Sequence, residues 1–305
     1  MIKVKSKKKF RDINLFMKNF MIFLCFFLTV VNLYSQNKIA LIVGISKYPK
    51  NSDWSFINGS NDIKLLNPVL KNKSFETIIL ENEQATKKNI IKELREIEHK
   101  AIKGDIVLIH FSTHGQQVID KNFDETDKLD EAIIPYDAKK YYCKNKYEGE
   151  NHLRDDELNV LLNYIRVKIG DKGVLIVTAD ACHSATITRG EQENDNPIRG
   201  TSIIFGSTRF IPSQNGRIKK SEKNVYLPIE KNKSNYTIIS ACQEHQQNFE
   251  IKVDNKFYGV LSYSIFQVLN NSINFNPITF HKEISSTLKR YTRNQTPKIE
   301  TTYRN

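Results

Sequence analysis

The sequence predicts an α/β protein with three layers: a mostly parallel six-stranded sheet with helices on both of its faces. Two observations lead to this prediction. Short apolar runs rich in Val, Ile and Leu recur between residues 38 and 241, which is typical of strands buried on both faces of a parallel sheet. Stretches with apolar residues at helical spacing separate several of these runs. Such alternation favours right-handed βαβ units within one sheet.

The first half of the chain carries three of these apolar runs. Residues 38–45, 75–80 and 105–111 are predicted strands. Ser60 is predicted to cap a helix between the first two strands, and Thr86 a longer helix before the third. These elements form the regular part of the prediction.

The second half of the chain is less regular. Residues 186–234 are rich in Gly, Asn, Pro, Ser and Lys, which predicts a long loop, with a hairpin around residues 202–210. Loops of this length are usually functional. The other predicted elements are a short strand at 132–135, a helix starting at Asp155 and Asp156, strands at 174–177 and 235–241, and helices at 257–269 and 278–291.

The formal net charge of +12 over 305 residues is distributed unevenly. Residues 1–35 contain seven basic side chains against Asp12, and the remaining excess is scattered without interleaved aromatic residues. Nucleic-acid binding requires a concentrated basic patch, so no nucleic-acid partner is predicted.

The N-terminal segment resembles an export signal. A basic stretch precedes the apolar run at residues 20–31, which is short for a membrane span and about as long as the apolar region of a signal peptide. Ser35 is a candidate cleavage residue, but Leu33 matches the small-x-small rule poorly, so an uncleaved anchor remains an alternative. We therefore expect residues 1–35 to be a signal peptide, residues 36–305 to be one domain, and the protein to be periplasmic or secreted. A membrane partner is expected only if the segment is uncleaved.

Outside that segment the chain has three cysteines, Cys143, Cys182 and Cys242. An odd number in an exported protein leaves at least one thiol free or paired between molecules. No C-x-x-C pair is present, so a structural zinc site is not predicted.

Candidate catalytic side chains follow two of the predicted strands. His114 comes after the strand at 105–111, and Cys182 after the strand at 174–177. Ligands bind at the carboxyl edge of open α/β sheets, and parallel neighbouring strands would bring both residues to that edge. An imidazole beside a thiol suits covalent catalysis, because the thiolate is the nucleophile. The alternative is a small buried cysteine and a structural histidine.

The motifs Ser112-Thr-His-Gly115 and Asp180-Ala-Cys-His-Ser184 resemble those of the caspase-like cysteine peptidases, in particular the metacaspases and their bacterial relatives. The resemblance covers about residues 38–270 and implies a caspase-like sandwich. Segments at 120–137, 153–157, 239–243 and 259–263 are also similar to those of the family.

The resemblance implies that Cys182 is the nucleophile and His114 the general base or acid of a dyad. The backbone amides of Gly115 and Cys182 would then stabilise the oxyanion. We expect a cysteine endopeptidase that acts on polypeptides as a monomer. The alternatives are the same fold with another P1 preference, as in the legumain and gingipain groups, and a catalytically silent interaction module at the cell surface.

Charge predicts the specificity. Asp180 lies two residues before the nucleophile, and the family pattern places Asp62 in the same pocket, with Ser112 as a further lining residue. Carboxylates there would favour Arg or Lys before the cut. For Asp62, the alternative is a helix-start residue that interacts with the helix dipole.

No cofactor is expected to be required, and calcium is the one candidate metal ion. The family's calcium site would correspond to Asp130, Asp155 and Asp156, and carboxylates are suitable ligands. Arg189 stands where a further acidic ligand is expected, and acidic residues at a helix start need no metal.

The long loop is a candidate site of self-processing, because an enzyme that cuts after basic residues could cut an exposed basic loop of its own. The alternative is a basic solvated loop. The basic residues there are Arg189, Arg199, Arg209, Arg217, Lys219, Lys220, Lys223, Lys231 and Lys233.

Overall fold

The computed structural model divides the chain into two compact units, residues 1–36 and 37–305. The predicted signal segment lies almost entirely outside the described residues. Among the described residues, no helix is long and apolar enough to cross a membrane. The structure describes Met17, Lys18, Met21 and residues 36–120, 128–182, 196–207, 225–243 and 246–303.

The unit at 37–305 is built from twelve described strands and five described α-helices. The strands are β1 (Lys38–Gly44), β2 (Glu76–Glu81), β3 (Ile106–Ser112), β4 (Gly115–Ile119), β5 (Leu129–Ile133), β6 (Leu153–Arg154), β7 (Val174–Asp180), β8 (Val225–Tyr226), β9 (Asn235–Ser240), β10 (Glu250–Val253), β11 (Lys256–Gly259) and β12 (Lys298–Thr301). The helices are α1 (Gly59–Asn72), α2 (Lys87–Lys100), α3 (Asp155–Ile169), α4 (Val260–Asn271) and α5 (Phe280–Tyr291).

The main sheet has seven strands in the order β2-β1-β3-β7-β9-β12-β8. Neighbouring strands from β2 to β9 are parallel, whereas β12 is antiparallel to β9. Every residue of β3 and β7 is buried, as the run of four apolar residues that begins each strand predicts. The prediction of a mostly parallel α/β sheet is confirmed.

Helices cover both faces of this sheet. On one face Leu94 of α2 and Ile165 of α3 pack with Leu41 of β1 in one apolar cluster. On the other face Leu66 of α1 and Ile265 of α4 belong to a second cluster, which also contains residues of α5. Successive strand residues point to opposite faces, so the same strands supply both clusters. The sheet is thereby fixed between two layers, and its carboxyl edge is held in place.

Four details of the prediction differ from the structure. The strand near residues 132–135 is β5, which pairs with β4 and β6 in a separate antiparallel sheet. Its place among the main strands is taken by β12, whose short sequence K-I-E-T has no extended apolar run, and β8 adds a two-residue edge. Residues 202–207 contain only an isolated bridge from Phe205 to Val118 instead of a hairpin; residues 208–210 lie outside the described part. The helix expected from 257 begins at Val260, because residues 256–259 form β11.

Candidate active site

The ends of two neighbouring parallel strands define the site. Ser112, the last residue of β3, pairs with Asp180, the last residue of β7. His114 and Cys182 each follow two residues later, so the structure brings both to the same edge of the sheet. Their side chains are buried, at 0% and 1% exposure.

Aromatic rings surround His114. Its ring is stacked on Trp54 at 4.8 Å between centroids and lies 5.4 Å from the ring of Tyr48. Nε2 lies 2.9 Å from the carbonyl oxygen of Ser55, and a carbonyl only accepts, so Nε2 carries the hydrogen. Nδ1 is buried without a hydrogen-bond partner among the described residues. Burial lowers the pKa of His114 to about 3, against the bond to Ser55, so the resting ring is neutral. Because the hydrogen is on Nε2, the lone pair of the ring is on the unpartnered Nδ1.

Cys182 is held through its thiol and its backbone. The thiol Sγ donates to the carbonyl oxygen of Gln246 at 3.1 Å, and the backbone N–H donates to the carbonyl oxygen of Arg199 at 2.7 Å. The Cys242 thiol donates to the same Gln246 oxygen at 3.5 Å. A hydrogen bond with Cys182, together with burial, raises the pKa of Cys242 well above its ordinary value. Cys242 therefore keeps its proton at neutral pH.

An acidic pocket lies beside Cys182. It contains the predicted pair Asp62 and Asp180 and a third carboxylate, Glu250, all at 0% exposure. The guanidinium group of Arg199 lies among them, with Nη2 at 2.8 Å from Asp62 Oδ2 and 2.9 Å from Glu250 Oε1, and Nη1 at 3.8 Å from Asp180 Oδ1. The structure therefore brings together the residues predicted for P1 recognition, with an arginine of the same chain between them.

Asp62 is tied to this pocket through hydrogen bonds as well as charge. Its Oδ2 accepts from Ser112 Oγ at 2.7 Å, and its Oδ1 accepts from the backbone of Gly259 at 3.1 Å. Asp62 does belong to the first turn of α1. Its described hydrogen-bond donors, however, lie outside that helix, which favours the pocket interpretation over the helix-dipole alternative.

Asp180 is fixed from the other side. Its Oδ2 accepts from the backbone and the hydroxyl of Ser262 at 2.7 and 2.6 Å, and its Oδ1 accepts from Asn248 Nδ2 at 2.9 Å. A Cβ atom at Gly259 would lie 2.1 Å from Asp180 Oδ2, so only glycine fits there. The carboxylate thus has a defined orientation two residues before the thiol.

The pocket holds more negative than positive charge, and the pKa values of its carboxyls respond differently. Burial raises the pKa of Asp62 to about 7, against the attraction of Arg199 and with repulsion from Asp180 and Glu250. Burial would also raise the pKa of Asp180, but Arg199 and the hydrogen bonds from Ser262 and Asn248 outweigh it and lower that pKa. Asp62 is therefore the member of this pair that binds a proton more readily.

The other residues predicted for the site are Gly115 and the three aspartates of the candidate calcium site. Gly115 begins β4 directly after His114. Asp130 is buried and forms an ion pair with Arg154. Asp155 and Asp156 begin α3, where the backbone of Asp156 donates to Asp155 Oδ1 at 3.0 Å.

These aspartates do not form a prepared metal site. Within the described ranges, no group of three or more His, Cys, Asp or Glu side chains is arranged to hold a metal ion. Burial raises the pKa of Asp155 to about 7, with repulsion from Glu131, Asp130 and Asp156. Calcium binding by Asp130, Asp155 and Asp156 stays a prediction.

Sequence reasoning missed three features of the site. The sequence analysis assigns no role to Glu250, predicts Arg199 only as one basic residue of a loop, and includes Cys242 only in the cysteine count. Gly259 was the one sequence signal that other groups pack closely at this point, because a glycine in or next to a strand often permits close backbone approach. It did not indicate which groups approach.

A buried thiol, a neutral imidazole and an acidic pocket at the carboxyl edge of a parallel sheet define a protein of the cysteine-peptidase type. The family model of the caspase domain, Peptidase C14, matches residues 37–305. The chain belongs to this peptidase family.

The proteins to which the chain is similar include metacaspases. The chain is 24% identical over 273 residues to Metacaspase-1 of Meyerozyma guilliermondii, covering 78% of this chain and 63% of that protein. It is 28% identical over 200 residues to Metacaspase-2 of Trypanosoma brucei brucei, covering 58% and 53%. The chain thus spans between half and two thirds of the length of these relatives. A crystal structure of a Geobacter sulfurreducens protein superimposes with a TM-score of 0.61 at 25% identity, covering 87% of this chain and 93% of that one.

Proposed function

We propose that this protein is a cysteine endopeptidase that cuts polypeptides after Arg or Lys, with Cys182 as nucleophile and His114 as general base and acid. The observation that carries the proposal is the buried pocket of Asp62, Asp180 and Glu250, which already binds a guanidinium group next to Cys182. Carboxylates match a guanidinium in charge and hydrogen-bond geometry.

The proposed reaction begins with transfer of the Cys182 thiol proton to Nδ1 of His114. The thiolate then attacks the carbonyl carbon after the basic residue. The backbone N–H of Cys182, with that of Gly115, stabilises the oxyanion. His114 returns its proton to the leaving amine, and water hydrolyses the thioester to release the acid and restore the thiol.

The Cys182 N–H is suitably placed for the oxyanion role, because it already donates to a carbonyl oxygen at 2.7 Å. The bond from Nε2 of His114 to Ser55 orients the ring, as a third group does in other nucleophile–base pairs. Trp54 and Tyr48 shield the imidazole from water. These contacts support a dyad held in one orientation by its surroundings.

The proposal also covers the location, oligomeric state, cofactor requirement and substrates of the protein. The protein is exported to the periplasm or beyond the cell, with residues 1–35 as signal peptide. It acts as a monomer and requires no cofactor, with calcium as an optional effector. Its substrates are polypeptides with Arg or Lys before the cut, and neither nucleic acid nor membrane is needed for activity.

Fluorogenic peptides with Arg, Lys or Asp before the reporter test the proposal. We expect hydrolysis of the Arg and Lys peptides only, and a loss of at least about 10³-fold in Cys182→Ala and His114→Ala. Cys143→Ala is the matched control, because that cysteine is exposed whereas Cys182 is buried. Folded protein that hydrolyses none of the peptides under any condition would refute the proposal.

Thiol labelling separates an enzyme from a silent interaction module. An activated thiolate reacts selectively and in a pH-dependent way with an active-site-directed alkylating reagent. We expect labelling of Cys182 ahead of Cys143 and Cys242. Equal or negligible labelling of Cys182 would favour the silent module.

A further inference from the structure

Arg199 is a fully buried residue of the loop that follows the nucleophile. It is 0% exposed and is the largest of the fully buried side chains in the described residues. Besides its three carboxylate partners, its Nη1 donates to Ser112 Oγ at 2.7 Å and its Nε to Glu250 Oε1 at 3.1 Å. Its guanidinium therefore uses the same groups that would recognise a basic substrate residue.

The backbone of Arg199 is placed like that of a bound substrate. Its carbonyl oxygen accepts from the Cys182 N–H at 2.7 Å, the position expected for the carbonyl under attack. A Cβ atom at Gly200 would lie 2.5 Å from the Cys182 oxygen and 3.0 Å from Cys182 Cβ. The peptide bond between Arg199 and Gly200 thus lies against the nucleophilic residue.

The residues before Arg199 pair with a neighbouring chain segment. Ile198 and Phe249 form an antiparallel bridge. The Arg199 N–H donates to the Asn248 oxygen, and the Glu250 N–H donates to the Pro197 oxygen, both at 3.0 Å. Addition of an extended peptide to an exposed strand edge is a common mode of peptide recognition. Residues 197–199 occupy that edge.

A purely structural ion pair does not account for this arrangement. One carboxylate would neutralise one guanidinium, whereas three surround Arg199 and leave an excess of negative charge. A structural pair also has no need to place its own carbonyl on the amide of the nucleophile. Arg199 therefore has three features of a bound substrate residue: a basic side chain in the acidic pocket, a carbonyl on the Cys182 amide, and backbone pairing with a neighbouring segment.

We propose that Arg199 is a tethered occupant of the substrate pocket, which keeps the active site closed to basic substrates until it is displaced. The inference rests on the proposed function, since it requires the acidic pocket to be the P1 site. A substrate binds only the fraction of molecules whose pocket is open, so its apparent dissociation constant is the intrinsic value divided by that fraction. Occupation therefore raises KM and leaves kcat at saturation unchanged.

Arg199→Ala tests this inference. We expect a KM for Arg peptides at least about tenfold lower than in intact unmodified protein that has not been cut after Arg199, with kcat within about twofold. Arg199→Lys, which keeps the charge on a differently shaped head group, should give an intermediate KM. Lys231→Ala is the matched control, because Lys231 is an exposed basic residue of the same loop, and its KM should not change.

The outcomes distinguish the inference from the proposed function. If folded Arg199→Ala hydrolyses Arg peptides with an unchanged KM, the inference is wrong and the peptidase proposal stands. If neither Arg199→Ala nor the unmodified protein hydrolyses any peptide, the peptidase proposal fails, and the inference fails with it. Circular dichroism and thermal melting establish whether each variant is folded.

A second measurement needs no variant and applies if Arg199→Ala does not fold. The unmodified protein is treated with a peptide chloromethyl ketone that carries Arg before the reactive group, or with iodoacetamide, which has no guanidinium. We expect faster hydrogen exchange at residues 196–203 after the Arg reagent only, because its side chain displaces Arg199. Modification of Cys182 by the Arg reagent with unchanged exchange in this segment would overturn the inference.

Discussion

Two acidic clusters in the described part of the molecule each contain an arginine, and they differ in where the arginine comes from. In the pocket, Arg199 reaches Asp62, Asp180 and Glu250 from a loop outside the sheet. At the start of α3, Arg154 pairs with Asp130 from the adjoining strands β6 and β5. On our proposal, Arg154 is a permanent part of its cluster, whereas Arg199 can be exchanged for a similar group. We infer that the element which supplies the arginine distinguishes the two clusters. An arginine from a loop marks the binding pocket, and an arginine from a strand marks the structural ion pair.

The largest expected difference between the two clusters is in cleavage of the chain after their arginines. The Arg199 carbonyl lies on the Cys182 N–H, so we expect the purified protein to cut itself between Arg199 and Gly200. No cut is expected after Arg154, because its side chain is paired with Asp130 and not with the carboxylates of the pocket. Intact-mass spectrometry with time measures both, and Cys182→Ala should remain whole. An unmodified protein that stays intact, or a mutant cut at the same bond, would contradict self-processing.

The second prediction compares one carboxylate from each cluster. Asp180→Asn keeps the side-chain shape and removes the charge, so we expect kcat/KM for Arg peptides to fall by about 10²-fold or more, since loss of one partner of a buried charge pair costs about 2–5 kcal/mol. Asp130→Asn should change kcat/KM by less than about threefold. Steady-state kinetics on folded variants provides the measurement. Equal losses in both variants would remove the functional distinction between the clusters.

The third prediction concerns pH and the raised pKa of Asp62, about 7 in the folded protein. In the unfolded chain the carboxyl of Asp62 ionises near its ordinary pKa. The contribution of protonated Asp62 to the stability of the fold is therefore complete below about pH 4. That contribution is lost as the pH rises through about 7. We therefore expect the unmodified protein to lose stability relative to Asp62→Asn between pH 4 and 7, by on the order of 1 kcal/mol or more.

Urea unfolding of both proteins at several pH values measures this difference. Asp130→Asn, which lies in the other cluster, serves as the comparison variant. A difference between the unmodified protein and Asp62→Asn that does not change with pH would show that Asp62 is ionised throughout this range.

The smallest expected effect is that of calcium on the second cluster. Because Arg154 already neutralises Asp130, we expect activity to stay within about twofold between chelator and millimolar calcium. Activity that is lost in chelator, restored by calcium and insensitive to calcium in Asp155→Asn would show a functional calcium site there. Thermal melting with and without calcium gives an independent measure of binding.

Local patterns in the sequence were sufficient for the main strands and for the edge where the site lies. The strands β3 and β7 each begin with four consecutive apolar residues and end on a polar residue, so their burial and the positions of His114 and Cys182 could be predicted. Strand β12 could not, because K-I-E-T carries too little apolar sequence to stand out.

The composition of the pocket required the fold. Arg199 and Glu250 are 51 residues apart, and Asn58 and Glu250, which are also hydrogen-bonded, are 192 residues apart. No periodicity links such pairs, so only the order of strands in the sheet brings them together. The family resemblance pointed to Asp62, and the position two residues before Cys182 pointed to Asp180, but nothing in the sequence indicated the buried arginine.

Arg199 belongs to the same molecule as the pocket that it fills. The fraction of pockets that Arg199 occupies therefore does not depend on the protein concentration. A tethered ligand competes at an effective concentration set by its linker, in the millimolar range for short flexible connections. Dilution of the protein leaves that value unchanged, whereas it would empty a pocket filled by a second molecule. A basic peptide present at micromolar concentration competes weakly against such a neighbour, so abundance of the substrate, or a cut that frees the segment, determines when the pocket becomes available.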